Sequence, residues 1–177
     1  MLNIQGLIGK RYNKLQSDEI INLFKSNDIL MFTETWLNDS IDCEVNNFRH
    51  YFLNRTNRAQ GARRDSGGII IYVSERIANF CTFEKFSSDN VIWLKFDSGL
   101  FSLDSDLFLC LCYNAPSNSA RVGLDEVNVY NLIMQDMIYI ENKYNNNCNF
   151  VLAGDWNSRI GNAFDSGYSI RPEFITR

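Results

Sequence analysis

The sequence predicts a layered α/β architecture, with a mixed β-sheet arrangement and helices packed outside it. Three observations predict it. Apolar runs of strand length recur along the chain at residues 29–32, 68–73, 91–96, 107–113 and 150–153, rich in Ile, Val, Phe and Tyr. Several of them lack a polar alternation, which is the mark of strands covered on both faces. Two stretches with helical spacing of apolar residues separate or precede these runs, as alternating layers require.

In chain order, Asn13 or Ser17 can cap a first helix that carries Leu15, Ile20, Ile21 and Phe24 on one stripe and ends near residues 26–27. The run 29–32 follows as a strand. After the three runs between 68 and 113, residues 124–144 place Leu124, Val127, Ile133, Met134, Met137 and Ile138 at helical spacing, predicting a long core-facing helix. The Asn-rich segment 145–149 reads as a polar turn into the last strand.

At 177 residues, with 45% hydrophobic and 14% aromatic side chains and only 2 Pro, the chain is neither disordered nor collagen-like. One domain over 1–177 is expected, since a chain of this size buries roughly 70% of its unfolded surface in a single core. No apolar run approaches the roughly 20 residues of a membrane-spanning helix, and residues 1–6 do not read as a secretory signal. An intracellular, non-membrane protein is therefore expected. The five cysteines, odd in number and without a C-x-x-C pair, argue for reduced, mostly buried thiols.

A formal net charge of −4 excludes bulk polycation binding to nucleic acid. Local phosphate affinity has one source, the cluster Arg55, Arg58, Arg63 and Arg64, though such a cluster is more often simply a solvated loop.

The informative feature is positional. Asn3, Glu34, Tyr113, and the pair Asp155 and Asn157 stand on or just after the apolar runs. Ligands in open α/β sheets collect at the carboxyl ends of strands, so these groups are candidates for one crevice. Phosphodiester hydrolysis would use each of them. Mg²⁺ binds through one or two carboxylates and keeps several waters, which suits Glu34, with the Asn3 carbonyl as a neutral ligand or water orienter. In an extended segment Asp155 and Asn157 share a face, so a carboxylate can position water while an amide fixes a phosphate oxygen. The Tyr113 phenol can interact with the phosphoryl centre. Singly, each has an ordinary structural explanation: Glu34 a cap or turn, Asn3 a turn former beside Gly6, Tyr113 a core aromatic, Asp155 and Asn157 a strand-exit turn.

Five segments in order, NIQGL (3–7), FTETWL (32–37), SGGI (66–69), CYNAPS (112–117) and GDWNSR (154–159), resemble the successive motifs of the endonuclease/exonuclease/phosphatase superfamily. ETWL, SGGI and GDWNSR are most similar to the endonuclease domains that precede reverse transcriptases in non-LTR retrotransposons. The resemblance implies an α+β fold of two packed mixed β-sheets flanked by helices, a four-layer DNase-like sandwich. It implies a Mg²⁺ (or Mn²⁺) site and hydrolytic nicking of DNA. Glu34 would be the principal metal ligand and Asn3 its neighbour, with Tyr113, Asp155 and Asn157 catalytic, and Arg63 and Arg64 contacting DNA. A downstream reverse transcriptase domain and a nuclear site of action belong to the same expectation. Members of this superfamily also act on lipid or inositol phosphates, and a non-catalytic nucleic-acid-binding remnant is the reading from another class.

One part of the pattern is missing. The superfamily's terminal Ser-Asp-His motif has no counterpart, and the single histidine, His50, falls where a structural strand is expected. A truncated chain with impaired activity and an incomplete second sheet is the expectation that follows.

Overall fold

The computed structural model describes residues 1–38, 40–54, 67–114 and 128–157. Two four-stranded sheets form its frame. The first comprises β1 (Leu2–Asn3), β4 (Ile29–Thr33), β5 (Phe48–Leu53) and β6 (Ile69–Ser74), in the order β1-β4-β6-β5. The second comprises β7 (Cys81–Ser88), β8 (Val91–Phe96), β9 (Asp106–Tyr113) and β10 (Cys148–Asp155), in the order β10-β9-β8-β7. A small hairpin of β2 (Ile8–Gly9) and β3 (Tyr12–Asn13) stands apart from both. Helix α1 spans Asp18–Ser26, the short α2 Ser98–Phe101, and α3 Val129–Lys143.

The layering explains the missing alternation. Along β6 every residue is buried, but successive side chains enter different cores. Ile69, Ile71 and Val73 meet Ile92, Leu94 and Phe96 of β8 and Leu109 and Leu111 of β9, filling the space between the sheets. Ile70 and Tyr72 point the other way, against Leu30 and Phe32 of β4 and Ile20 and Phe24 of α1. On the far side of the second sheet, Trp93, Phe108, Cys110 and Cys112 pack under Val129, Ile133 and Ile140 of α3. Four layers result, helix, sheet, sheet, helix, as the superfamily resemblance implies. Burial of each such large apolar side chain contributes about 1.5–3 kcal/mol, so a strand with two apolar faces is what holds three layers together.

Both candidate caps are used. The Asn13 side chain accepts from Leu15 N–H at the head of a 3₁₀ turn over Lys14–Gln16, and Ser17 caps α1 by accepting from Ile20 N–H. Helix α3 begins at Val129, capped by Asn128 Oδ1, so Leu124 and Val127 of the predicted span lie outside the described residues. The last described strand departs from the two-sided expectation: Val151 and Leu152 of β10 are 44% and 41% exposed, β10 standing at the end of its sheet among the described strands. Strand β7 escaped the apolar-run criterion because Thr82 and Glu84 interrupt it.

His50 lies on β5, at the end of the first sheet opposite β1, stacked on Phe52 and against Tyr72. All five cysteines are free, four of them buried. No described helix is long and apolar enough to cross a membrane.

Candidate active site

Each sheet contains one parallel pair, and the carboxyl ends of the two pairs meet. In the first sheet β1 runs parallel to β4 with Asn3 opposite Thr33, so Asn3 stands beside the entry to Glu34. In the second, β9 and β10 run parallel with Tyr113 opposite Asp155. Two side-chain hydrogen bonds then cross between the sheets. Asn3 Nδ2 donates to Asp155 Oδ2 at 2.7 Å, and Tyr113 Oη donates to Glu34 Oε1 at 2.9 Å. Four of the five residues singled out from the sequence thus form a closed circuit, two members from each sheet.

The backbone around Glu34 is held in an unusual shape. Glu34 and Trp36 have φ of 56° and 55°, in the left-handed region that side chains rarely occupy. Hydrogen bonds impose it from both sides. Gly6 N–H donates to Glu34 O at 2.7 Å and Leu7 N–H to Thr35 O at 2.8 Å, while Trp36 N–H donates to Gly67 O at 2.9 Å. Gly68, at φ 83°, completes the clamp, since a Cβ there would lie 2.5 Å from Thr35 Oγ1. This is why the sequence carries Gly-Gly at 67–68 opposite its Thr-Glu-Thr segment. A left-handed backbone at a carboxylate is the kind of local strain that functional positions often carry. Thr33 and Thr35, fully buried on either side of it, have hydroxyl oxygens without a hydrogen-bond partner among the described residues.

Asp155 is held by two donors, Asn3 Nδ2 on Oδ2 and Asn157 N–H on Oδ1 at 3.2 Å. The second bond corrects the extended reading of residues 155–157. β10 ends at Asp155, and Asn157 has φ 41°, so the segment is a turn closed by the aspartate side chain. Asn157 Nδ2 donates to Asn114 O at 2.7 Å, and Asn114 Nδ2 donates to Trp156 O at 2.9 Å. Asn157 therefore ties the two strand exits together, with one amide hydrogen committed there instead of to a phosphate oxygen. Asn114 was not singled out from sequence. Its signal is its place directly after Tyr113 in CYNAPS.

Beneath the site, burial first and the Asp155 carboxylate second push the Cys112 thiol up to about 12. Gly154 is required by close approach, since a Cβ there would lie 2.4 Å from Cys112 O. Arg55, Arg58, Arg63 and Arg64, like Ser66, Ser158 and Arg159, lie outside the described residues.

A sequence profile described as the Endonuclease/Exonuclease/phosphatase family matches residues 2–175. The chain belongs to that family. Its members are hydrolases, phosphodiesterases among them, and generally use divalent metal ions. No curated protein is detectably similar in sequence. Among solved structures, the human Nocturnin catalytic domain with bound sulfate anion is 10% identical over 96% of this chain and 67% of its own, with a TM-score of 0.59. A truncated TDP2 from Caenorhabditis elegans is 19% identical over 97% of this chain and 64% of its own, with a TM-score of 0.51. The chain thus spans about two thirds of each of these two structures, and that likeness shows the shared fold.

The donor set suits a metal of the kind this family uses. Glu34, Asp155 and the Asn3 carbonyl are all hard oxygen donors, with no thiol or imidazole joined to them by the circuit. No group of three His, Cys, Asp or Glu gathers among the described residues. One or two carboxylates with water completing the shell is how Mg²⁺ is ordinarily held, whereas zinc would want nitrogen or sulfur.

Proposed function

We propose that this chain is a metal-dependent DNA endonuclease of the retrotransposon type, cutting a phosphodiester by in-line attack of water. The observation that carries the reading is the cross-sheet circuit, in which Tyr113 orients Glu34 and Asn3 orients Asp155 at the carboxyl ends of the parallel strands. ETWL, SGGI and GDWNSR support the choice of DNA within the family, and the same reading has a reverse transcriptase in the natural polypeptide and nuclear DNA as its target.

In this reading Glu34 would hold Mg²⁺ or Mn²⁺, with the Asn3 carbonyl, which accepts from Gln5 N–H at 3.3 Å, as the neutral group nearby in the sheet. The bound ion supplies charge neutralisation at the phosphoryl oxygens. Asp155, kept in place by the Asn3 amide and the Asn157 N–H, accepts the proton of the attacking water. Tyr113 donates to Glu34 in the resting site, and in this reading its phenol interacts with the phosphoryl centre of the bound substrate. Arg63 and Arg64 contact the DNA backbone. The sole histidine is committed to stacking on β5, so in this reading the leaving oxygen takes its proton from solvent water.

The test is nicking of supercoiled plasmid in Mg²⁺ or Mn²⁺ by the chain and its Glu34→Ala and Asp155→Ala variants. The reading requires metal-dependent nicking that both substitutions abolish. Equal nicking by both variants would discard the site, and phosphate release from inositol phosphates without action on DNA would replace the substrate.

A further inference from the structure

Between the β2–β3 hairpin and Trp36 opens a cavity of about 460 Å³ that the reaction outlined above does not use. Its walls are the Tyr12 and Trp36 rings and the side chains of Ile8 and Ile41, with Lys10 and Asn38 on the same lining. Trp36 is two residues from Glu34, and Tyr12 is carried by the β2–β3 hairpin. Both rings close over Gly6: a Cβ at that position would lie 2.4 Å from Tyr12 Oη and 2.6 Å from Trp36 Cε3. Gly6 is also the residue whose N–H holds Glu34 O. Cavity and carboxylate therefore share one piece of backbone, and whatever occupies the first is positioned relative to the second.

The chemistry of the lining selects an occupant. Two aromatic rings and two isoleucines favour a flat ligand with apolar faces. The Asn38 amide can pair with a polar edge. Lys10 supplies positive charge, and no carboxylate stands among the described lining residues. A flat heteroaromatic ring attached to an anion satisfies all of these together, and pockets of this size hold ligands of nucleoside dimensions.

We infer that this cavity is a nucleobase subsite, which takes an unstacked base of the strand whose phosphate lies at Glu34. The base stacks on Tyr12 and Trp36 while Lys10 meets an adjoining phosphate. Stacking on aromatic side chains is tolerant of base identity, so the subsite places the strand without reading its sequence. The inference rests on the nucleic-acid reading proposed above, and it adds what positions the strand before any chemistry occurs.

The test measures binding, with EDTA present so that no strand is cut. The chain is titrated with an oligothymidylate of about eight nucleotides, a length within the usual site size for single strands. The same strand is then used with one abasic nucleotide at each position in turn. A subsite predicts that affinity falls about tenfold when one particular base is missing and little at the other positions, with tryptophan emission changing on binding. Tyr12→Leu and Trp36→Leu each weaken the intact strand about tenfold and remove the position dependence, and Lys10→Ala flattens the salt dependence. Tyr12 is exposed on its hairpin, so Tyr12→Leu carries the test if Trp36→Leu fails to fold. A flat abasic series in the native chain, or no binding of the strand at low salt, overturns the subsite. Nicking that Glu34→Ala abolishes, together with a flat series, keeps the function and discards only the subsite. Position-dependent binding with nicking that survives Glu34→Ala does the reverse.

Discussion

Asn3 Nδ2 and Asp155 Oδ2 are 2.7 Å apart although 152 positions separate them in the chain. Their hydrogen bond joins the first strand of one sheet to the last described strand of the other. A bond to a carboxylate in a partly buried setting is worth about 1.5–3 kcal/mol. In a double-mutant cycle of Asn3→Ala and Asp155→Ala, followed by urea unfolding, the coupling energy is expected near that value. Additive losses would mean that the two groups do not act together.

The left-handed backbone of Glu34 yields a second expectation. A side chain with a Cβ in that region costs roughly 1–2 kcal/mol that glycine avoids. Glu34→Gly should therefore be more stable than Glu34→Ala by about 1 kcal/mol, the reverse of the usual ranking of the two residues. Both variants lack the carboxylate and both should be inactive. Denaturant midpoints in the ordinary order would remove the argument that strain is stored at this position.

Thr33 is fully buried with its hydroxyl oxygen unpaired among the described residues. Replacing it by valine keeps the shape and deletes the desolvated oxygen. Thr33→Val is expected to leave stability unchanged or raise it by about 1 kcal/mol. A loss of more than that would reveal an ordered water or other partner at the hydroxyl.

Asp106 accepts an ion pair from Lys95 at 2.7 Å. The Lys95 hydrogen bond foremost, and the Ser98 N–H after opposing desolvation, hold the Asp106 carboxyl below its usual range. For Lys95, burial alone would favour the neutral form, but the hydrogen bonds to Asp106 and Asp97 outweigh it and raise the ammonium. A depressed carboxyl stabilises the fold above its unfolded value of about 3.9 and loses that contribution as pH falls through the lower folded value. The native chain should thus be more stable than Asp106→Asn by about 1 kcal/mol at neutral pH, with the gap closing as acid protonates Asp106. Thermal midpoints of both chains between neutral pH and about pH 3 check it.

Burial raises every cysteine thiol, Cys81 to about 11. A folded chain at neutral pH should accordingly react slowly with thiol reagents, Cys148 first, because it alone is not fully enclosed. Alkylation followed by mass mapping should find Cys110 and Cys112 modified only after denaturant is added. Rapid modification of Cys110 in the native chain would place it outside the layer under α3.

Strand content and layering were legible in the sequence because burial on two faces leaves a local trace. The uninterrupted apolar run at residues 69–73 can only be satisfied between two covering layers. The caps at Asn13 and Ser17 were legible for a similar reason, since their partners lie two or three residues away. β7 was hidden by its polar interruptions, and the turn at residues 155–157 by the assumption that the strand continues through it.

Which residue types stand at the strand ends was likewise written in the sequence: an amide at 3, an acid at 34, a phenol at 113, an acid and an amide at 155 and 157. Tertiary structure alone decided which of them touch. Strand register is set by pairing between segments far apart in the chain, and the spacing of the two sheets by side chains from β6, β8 and β9 that meet only on folding. The Tyr113–Glu34 and Asn3–Asp155 bonds depend on both together, so no local pattern in the chain could specify them.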